Sequence, residues 1–325
     1  MCKKINTPYT VHYTPNTLLL SIIVPVYNAE RYLEECLRSL FKQDLPADAY
    51  EVIAVDNGSR DGSAALIKQL QNEYTNLRLV TLVENQLPSG ARNAGMDAAK
   101  GKYLMFVDSD DYLYPNVLQS LVDAIEKDDL DFVHFDADLL VDNKIVKGLR
   151  TDSAVVLSGV DYYHLNPCYK EVSWSKIYRR SFIEKNHLRC VKGLLYEDDE
   201  FSYRLYSLAS HVKHINIVPY VFRQHANSAT KRNATLAALL SHLREINVLY
   251  DDIHGANPIV TDTIMVEEIE TFIKNLIWEI YRIYHVLTQE EQKQAKIQIR
   301  KQITRRMLPY MSKKRFILLK LGIIK

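Results

Sequence analysis

The chain predicts an α/β fold: a doubly wound, mainly parallel sheet with a C-terminal helical extension. Three observations carry this expectation. Between residues 18 and 135, short apolar runs alternate with stretches of helical periodicity, the pattern of strands joined by crossover helices. Polar and acidic residues gather where those strands end, at 25–28, 56–63 and 108–111, and open α/β sheets bind ligands outside the carboxyl ends of their strands. Beyond residue 231 the apolar residues fall into long helical stripes. A hydrophobic content of 47% and a charged content of 25% over 325 residues exclude a disordered or fibrous chain and leave ample core. The expected organisation is a polar, Pro-punctuated lead-in at 1–16, a catalytic-type α/β domain at 17–230, and a helical extension at 231–325 ending in a basic amphipathic tail.

Taken in order, residues 18–26 read as a buried strand ending at Pro25-Val26-Tyr27-Asn28. A helix follows from about residue 29, with Leu33, Cys36, Leu37, Leu40 and Phe41 at helical spacing and Asn28 as its N-cap. Residues 50–55 form the second strand, ending in the turn-rich Asp56-Asn57-Gly58-Ser59-Arg60-Asp61-Gly62-Ser63, which opens a helix to about Glu73. Residues 77–83 form a third strand and 91–99 a short helix carrying Arg92 and Asn93. Pro115 sits at the first turn of a helix to about Lys127, and 131–135 form another strand.

The strand at 102–107 runs into Asp108-Ser109-Asp110-Asp111. Three carboxylates within four positions repel one another and resist desolvation, so folding alone gives no reason for them. In an extended chain Asp108 and Asp110 point the same way, toward a hard divalent cation such as Mg²⁺ or Mn²⁺ that shares its oxygen ligands with phosphates. A solvated Asp-rich turn is the bland alternative. A dinucleotide site requires a Gly-rich turn after the first strand. Here that turn is Val26-Tyr27-Asn28-Ala29, and no P-loop Gly-Lys-Ser/Thr occurs.

Taken together, residues 21–28 (Ser-Ile-Ile-Val-Pro-Val-Tyr-Asn), Val55-Asp56-Asn57-Gly58-Ser59 with Asp61, Ala91-Arg92-Asn93 and Asp108-Ser109-Asp110-Asp111 resemble the family 2 glycosyltransferases, inverting nucleotide-sugar-dependent enzymes of the GT-A fold. The resemblance covers about residues 19–225. It implies that Pro25, Val26, Tyr27, Asn28 and Asp56 hold the nucleotide, with Asp56 accepting from the uracil imide. It also places Arg92, Asp108 and Ser109 on the donor, and Asp108 and Asp110 at a Mn²⁺ or Mg²⁺ ion. Where the family usually has a glycine two residues after the asparagine matching Asn85, this chain has Leu87 and then Pro88.

Past residue 135, Asp142-Asn143 suggests a hairpin turn. Trp174 and Lys176, two apart, either face one pocket or are a core tryptophan beside a surface lysine. Tyr196-Glu197-Asp198-Asp199-Glu200-Phe201 opens a helix. Acids in a first turn suit the helix dipole, and the resemblance adds that Glu197 and Asp198 supply the general base, Asp198 the stronger candidate. Residues 218–224 read as a last strand leading to His225 and Ser228, with His225 either a metal or diphosphate contact or a surface histidine.

Helices at 234–253 and 259–287 carry apolar stripes suited to packing or self-association, hence a possible homo-oligomer. From Gln292 to Lys325 there are eleven Lys or Arg and no Asp or Glu, leaving 30 basic against 40 acidic residues in the rest of the chain. Interleaved with Ile299, Ile303 and further apolar residues, these cations suit an anionic membrane surface; nucleic acid is not indicated. Cys2, Cys36, Cys168 and Cys190 form no CxxC pair, so neither zinc nor disulfides are expected. The longest apolar run, 18–26, is too short to span a bilayer.

These readings converge on a glycosyltransferase, hexosyl- or N-acetylhexosaminyl-type. It is expected to use a nucleotide-sugar donor, typically a UDP-sugar, and a glycan or lipid-linked acceptor, in the cytoplasm at the inner face of the cell membrane. The alternatives are a nucleotidyltransferase, which lacks its basic Gly-rich loop here, and an inactive sugar-nucleotide-binding or scaffolding protein.

Overall fold

The computed structural model describes residues 18–151, 155–166, 171–225 and 234–302. Its strands are β1 (Leu20–Val26), β2 (Tyr50–Asp56), β3 (Leu77–Thr81), β4 (Tyr103–Phe106), β5 (Tyr112–Leu113), β6 (Phe132–Val141), β7 (Lys144–Val146), β8 (Lys176–Arg179) and β9 (Val212–Gln224). Its helices are α1 (Glu30–Leu40), α2 (Ser63–Leu70), α3 (Leu87–Ala98), α4 (Leu118–Lys127), α5 (Gly159–Leu165), α6 (Arg180–Lys185), α7 (Asp198–Leu208), α8 (Leu236–His254), α9 (Thr263–Tyr284) and α10 (Gln289–Gln302).

One sheet runs β3-β2-β1-β4-β8-β6-β9-β5, with β7 hairpinned onto β6. The β1–β2, β2–β3, β1–β4 and β6–β9 ladders are parallel, and shorter antiparallel ladders join β4–β8–β6 and β9–β5. After β3 the chain crosses to the far side of β1 to lay down β4. The carboxyl ends of β1, β2 and β4 therefore face the crevice where a doubly wound sheet binds ligand.

The period-2 alternation of the strands divides the core cleanly. Ile22, Val24, Val52, Ala54, Tyr103 and Met105 pack against α1, α2 and α4. Ile23, Ile53, Val55, Leu104 and Phe106 face the opposite way, into a core shared with α3, α7 and the C-terminal helices. Leu243, Ile246, Ile269, Ile273, Ile280, Ala295 and Ile299 belong to that second core, so α8–α10 pack on the same face of the sheet as α3 and α7. Ile299, expected in the membrane-facing tail, is buried there; the rest of that tail, 303–325, lies outside the described residues, as do 1–17 and Ser228. Among the described residues no helix is long and apolar enough to cross a membrane.

Several local expectations change. Asn28 does not cap α1: it takes a left-handed backbone (φ 50), and the N-cap residue is Ala29. Ser63 Oγ and Asp61 Oδ2 accept from the N–H groups of Ala29 and Glu30 at 3.0 Å each, so a neighbouring loop caps the helix. Pro115 lies ahead of α4 because Asn116 (φ 59) turns the chain first; Gln43 and Asp44 then receive the N–H groups of Val117 and Gln119. The short helix expected at 91–99 begins at Leu87, and the last strand begins at Val212, with a register shift before Tyr220. The hairpin at Asp142-Asn143 forms, both residues having positive φ.

Candidate active site

The first wall of the cleft is made by the loops after β1 and β2. Asp56 is buried at the end of β2 and its Oδ1 accepts from Ser59 N at 3.0 Å. Asn28 N donates to Ser59 Oγ at 3.1 Å, while Asn28 Oδ1 accepts from Arg60 N at 2.8 Å. Asn57 Oδ1 accepts from Gln86 N, and its amide donates to Asn85 Oδ1 and Leu87 O. Gly58 has φ +72, and a Cβ there would come within 2.9 Å of the 84–85 backbone. Leu87, standing where a glycine was expected, has φ 62 and keeps the left-handed turn, with Asn85 Oδ1 accepting its N–H at 2.8 Å. Pro25 is half-buried and Val26 buried, while Tyr27 and Asn28 present themselves to solvent at the rim.

The acidic tract after β4 is a turn rather than an extended segment, closed by Asp111 N donating to Asp108 O at 3.0 Å. Asp108 and Asp110 consequently engage different partners. Asp108 Oδ1 accepts from Arg92 at 2.9 Å, and Asp110 Oδ2 lies 2.9 Å from His225 Nε2. Ser109 sits between them, half-exposed. Asp111 turns inward, accepting from the Tyr220 hydroxyl at 2.6 Å and from Arg223 N at 2.7 Å. Burial pushes the Asp108 carboxyl up to about 6; Arg92 pulls it down, and Asp110 and Asp198 push it up again. Among the described residues no three His, Cys, Asp or Glu side chains cluster as a ready-made metal cage.

The second wall is the N-terminus of α7. Arg92, buried on α3, reaches Asp108 with one guanidinium nitrogen and Glu197 with another, tying the end of β4 to the start of α7. Glu197 is buried and its carboxyl is pushed up by burial, against the opposing pull of Arg92. Asp198, the next residue, is half-buried and its Oδ1 is a buried atom with no hydrogen-bond partner among the described residues.

Asn93 pins the segment before α7 through paired bonds with Cys190 N and O at 2.9 and 2.8 Å. Glu200 does the same for Val191, accepting its N–H at 2.6 Å. Sequence reasoning had assigned neither role. It had also passed over Arg223, whose side chain donates to Asp110 O at 2.8 Å and stacks over the Tyr32 ring at 4.8 Å. Trp174 is core, stacked on Tyr220 and Phe222; Lys176 is fully buried rather than a surface lysine.

With the strand-end acids and the α7 acids on one cleft, the matches to known families become decisive. The family model described as Glycosyl transferase family 2 matches residues 21–185. The chain belongs to that family. The glycosyltransferase YibD of Escherichia coli K12 is 28% identical over 283 residues, covering 85% of this chain and 81% of YibD. The poly(ribitol-phosphate) beta-N-acetylglucosaminyltransferase TarS of Staphylococcus aureus is 27% identical over 268 residues, 79% of this chain but only 42% of TarS. Residues 1–349 of TarS, solved with UDP-GlcNAc, superimpose with a TM-score of 0.66 at 21% identity, covering 87% of this chain and 80% of that one. The mannosyltransferase PcManGT of Pyrobaculum calidifontis, solved with GDP-Man and Mn²⁺, gives a TM-score of 0.54 at 15% identity, covering 97% and 84%. The fold is that of these glycosyltransferases, and the family makes the chain an enzyme of sugar transfer.

Proposed function

We propose that the protein moves a sugar from a UDP-sugar to a hydroxyl of a glycan or lipid-linked acceptor, inverting the anomeric configuration. The observation that carries this reading is the Arg92 bridge, which sets Asp108 and the Glu197-Asp198 pair on one cleft. TarS, a β-N-acetylglucosaminyltransferase by name, supports a UDP-linked hexosamine or hexose as donor. In this reading Pro25, Val26, Tyr27, Asn28 and Asp56 hold the nucleotide, with Asp56 facing the base and Asp108 and Ser109 nearer the ribose.

Asp108 and Asp110, with His225 beside Asp110, are the residues that would hold Mn²⁺ or Mg²⁺. The fit is chemical: such a cation takes one or two protein carboxylates and completes its shell with phosphate oxygens and water. Burial raises the Asp108 carboxyl, and Asp110 and Asp198 add to that rise against the pull of Arg92, so a cation between these acids would relieve their mutual repulsion. Bound there, the cation would neutralise the departing diphosphate.

Asp198 is the proton acceptor in this scheme. Glu197 is committed to Arg92, whereas Asp198 Oδ1 has no hydrogen-bond partner among the described residues. As the acceptor hydroxyl gives its proton to Asp198, its oxygen bonds to the anomeric carbon and the bond from that carbon to the β-phosphate oxygen breaks. Arg92 keeps the two walls in register during this displacement. Attack on the face opposite the diphosphate inverts the centre.

Saturation-transfer NMR with UDP-GlcNAc, UDP-glucose and GDP-mannose, with and without Mn²⁺, tests the donor. A UDP-sugar should saturate preferentially, and more strongly with Mn²⁺. Binding of none of the three would overturn the reading.

For the tail, the reading is peripheral attachment to an anionic membrane. Because α10 gives Ala295 and Ile299 to the core, attachment falls to its outward cations and to residues 303–325. Each cation near such a surface contributes about 1 kcal/mol. Removal of 303–325 should weaken cosedimentation with phosphatidylglycerol vesicles at least tenfold; a truncated protein that pellets as well as the full chain moves the membrane surface elsewhere.

A further inference from the structure

The stretch that leads into Glu197, residues 192–196, is held from two sides. On one side α3 supplies Ser89, whose Oγ accepts from Gly193 N at 3.3 Å. On the other lies α8, the first helix of the C-terminal extension. Its residues Ser241 and Arg244 stand three apart, so they share a face. Ser241 Oγ accepts from Leu195 N at 2.9 Å, and Arg244 Nη1 donates to the carbonyls of Lys192 and Gly193 at 3.2 Å each. The Tyr196 ring, one residue before Glu197, stacks on His242 at 5.0 Å with the two planes 10° apart.

Gly193 is fitted to this grip. Its φ of +82 is a left-handed turn, which glycine adopts without the penalty a side chain brings. A Cβ there would lie 1.9 Å from Arg244 Nη1, so the arginine fills the space a side chain would need. Arg244 is itself exposed, and exposed helix positions contribute little to stability. Its place is explained by the turn it closes rather than by the core.

We propose that Arg244 is a positioning residue for the transfer step: by fastening the Lys192–Gly193 turn to α8, it fixes where the chain enters α7 and so where Glu197 and Asp198 stand on the cleft. This rests on the reading of Asp198 as base. A displacement of about 1 Å at a reacting group can cost about 10²-fold in rate, and the turn lies one short stretch of chain upstream of that group. The C-terminal extension thereby belongs to the transfer machinery as well as to the core.

Two measurements test it. Arg244→Met keeps most of the side chain's length and removes its donors. Amide exchange over residues 191–197 should then quicken at least tenfold, with β1 unchanged and the melting temperature close to wild type. Unaltered exchange there overturns the grip. In the same variant, kcat for UDP release from UDP-GlcNAc should fall about tenfold or more with UDP affinity unchanged, and Arg244→Lys, which keeps a cationic donor, should recover part of the rate. Wild-type kcat in a folded Arg244→Met enzyme, or a loss that lies wholly in UDP affinity, overturns the positioning role. Gly193→Ala supplies an independent check, because its Cβ evicts the guanidinium. Its loss of rate and that of Arg244→Met should combine less than multiplicatively in the double variant, since either change breaks the same contact; fully multiplicative losses overturn the link. The exchange measurement needs no substrate, so its failure leaves the glycosyl-transfer reading standing. An Asp198→Asn enzyme with full turnover sinks the base, and this inference with it, whatever the exchange shows.

Discussion

On the strand-end wall, the loops at 26–30 and 57–63 are joined by backbone N–H groups donating to short side chains: Ser59, Ser63, Asp61 and Asn28. On the α7 wall the joints are charged side chains meeting between segments, Arg92 to Glu197 and to Asp108. A backbone-built wall is rigid and indifferent to small changes in charge. A wall built from buried ion pairs holds only while each partner is present, since an orphaned buried charge costs several kcal/mol. The proposed reaction uses the difference: a fixed seat for the nucleotide faces a charge-tuned surface where a proton is taken.

The largest effect that would sharpen this contrast lies at Asp198. Asp198→Asn should reduce turnover by ~10²- to 10⁴-fold, the range for removing a positioned base, with UDP affinity and melting temperature close to wild type. A radiolabelled transfer assay beside thermal melts measures both. Full turnover would place the proton acceptor elsewhere on the cleft.

Glu197→Gln should behave differently, because Glu197 is structural as well as functional. With one of its two carboxylates gone, Arg92 is left part-paired in a buried site, and stability should fall by about 1–3 kcal/mol. Urea unfolding reads this directly. A stable but inactive Glu197→Gln would exchange the roles of the two neighbours.

The difference between the walls also explains what was legible in the sequence. Strands β1, β2 and β4 announced themselves as apolar runs, and the seats of Asp56 and Asp108 followed from strand ends. Those features are local, set by period-2 alternation and turn chemistry. The Arg92–Glu197 pair joins residues 105 apart and the Asn93–Cys190 bonds join residues 97 apart. Such contacts leave no periodic trace. The burial of Lys176 was hidden for the same reason: only the antiparallel insertion of β8 between β4 and β6 puts that lysine under a helix. The acidic tract is a cluster, as expected, but it closes as a turn through Asp111 N and Asp108 O; the turn propensity of Asp offered that alternative, while the convergence of Asp108 and Asp110 assumed an extended chain.

At the meeting point of the walls, Asp110→Ala should leave a folded protein and weaken Mn²⁺-dependent UDP binding at least tenfold, ~1.4 kcal/mol. The pH dependence there has a definite sign. Cation binding needs the carboxylate, and Asp108 is pushed up to about 6, so affinity for UDP with Mn²⁺ should fall as pH drops through 6. Stability runs the other way. An acid whose folded value lies above its ordinary one stabilises the fold only while protonated, so this contribution is full below about pH 4 and lost as pH rises through 6. Calorimetric titration reads the affinity and urea unfolding the stability, each at several pH values. A flat profile between pH 5 and 7 would remove Asp108 from the cation's shell.

The smallest effect probes the backbone-built wall, at two of its left-handed positions. Gly58 and Leu87 both have positive φ, yet they differ in what a side chain meets. At Gly58 a Cβ would strike the 84–85 backbone at 2.9 Å, so Gly58→Ala should cost about 1–2 kcal/mol from backbone conformation alone, with the clash in addition. Leu87 already bears the conformational strain. Leu87→Gly relieves about 1 kcal/mol of it but gives up the contacts of a half-buried side chain, worth about as much. The net change in urea unfolding should therefore lie within about 1 kcal/mol of zero, and UDP affinity should be retained, because Asn57 and Asn85 bind the backbone of residue 87 rather than its side chain. A Leu87→Gly protein destabilised by more than about 2 kcal/mol would mean that the leucine's packing, not this backbone network, holds the loop.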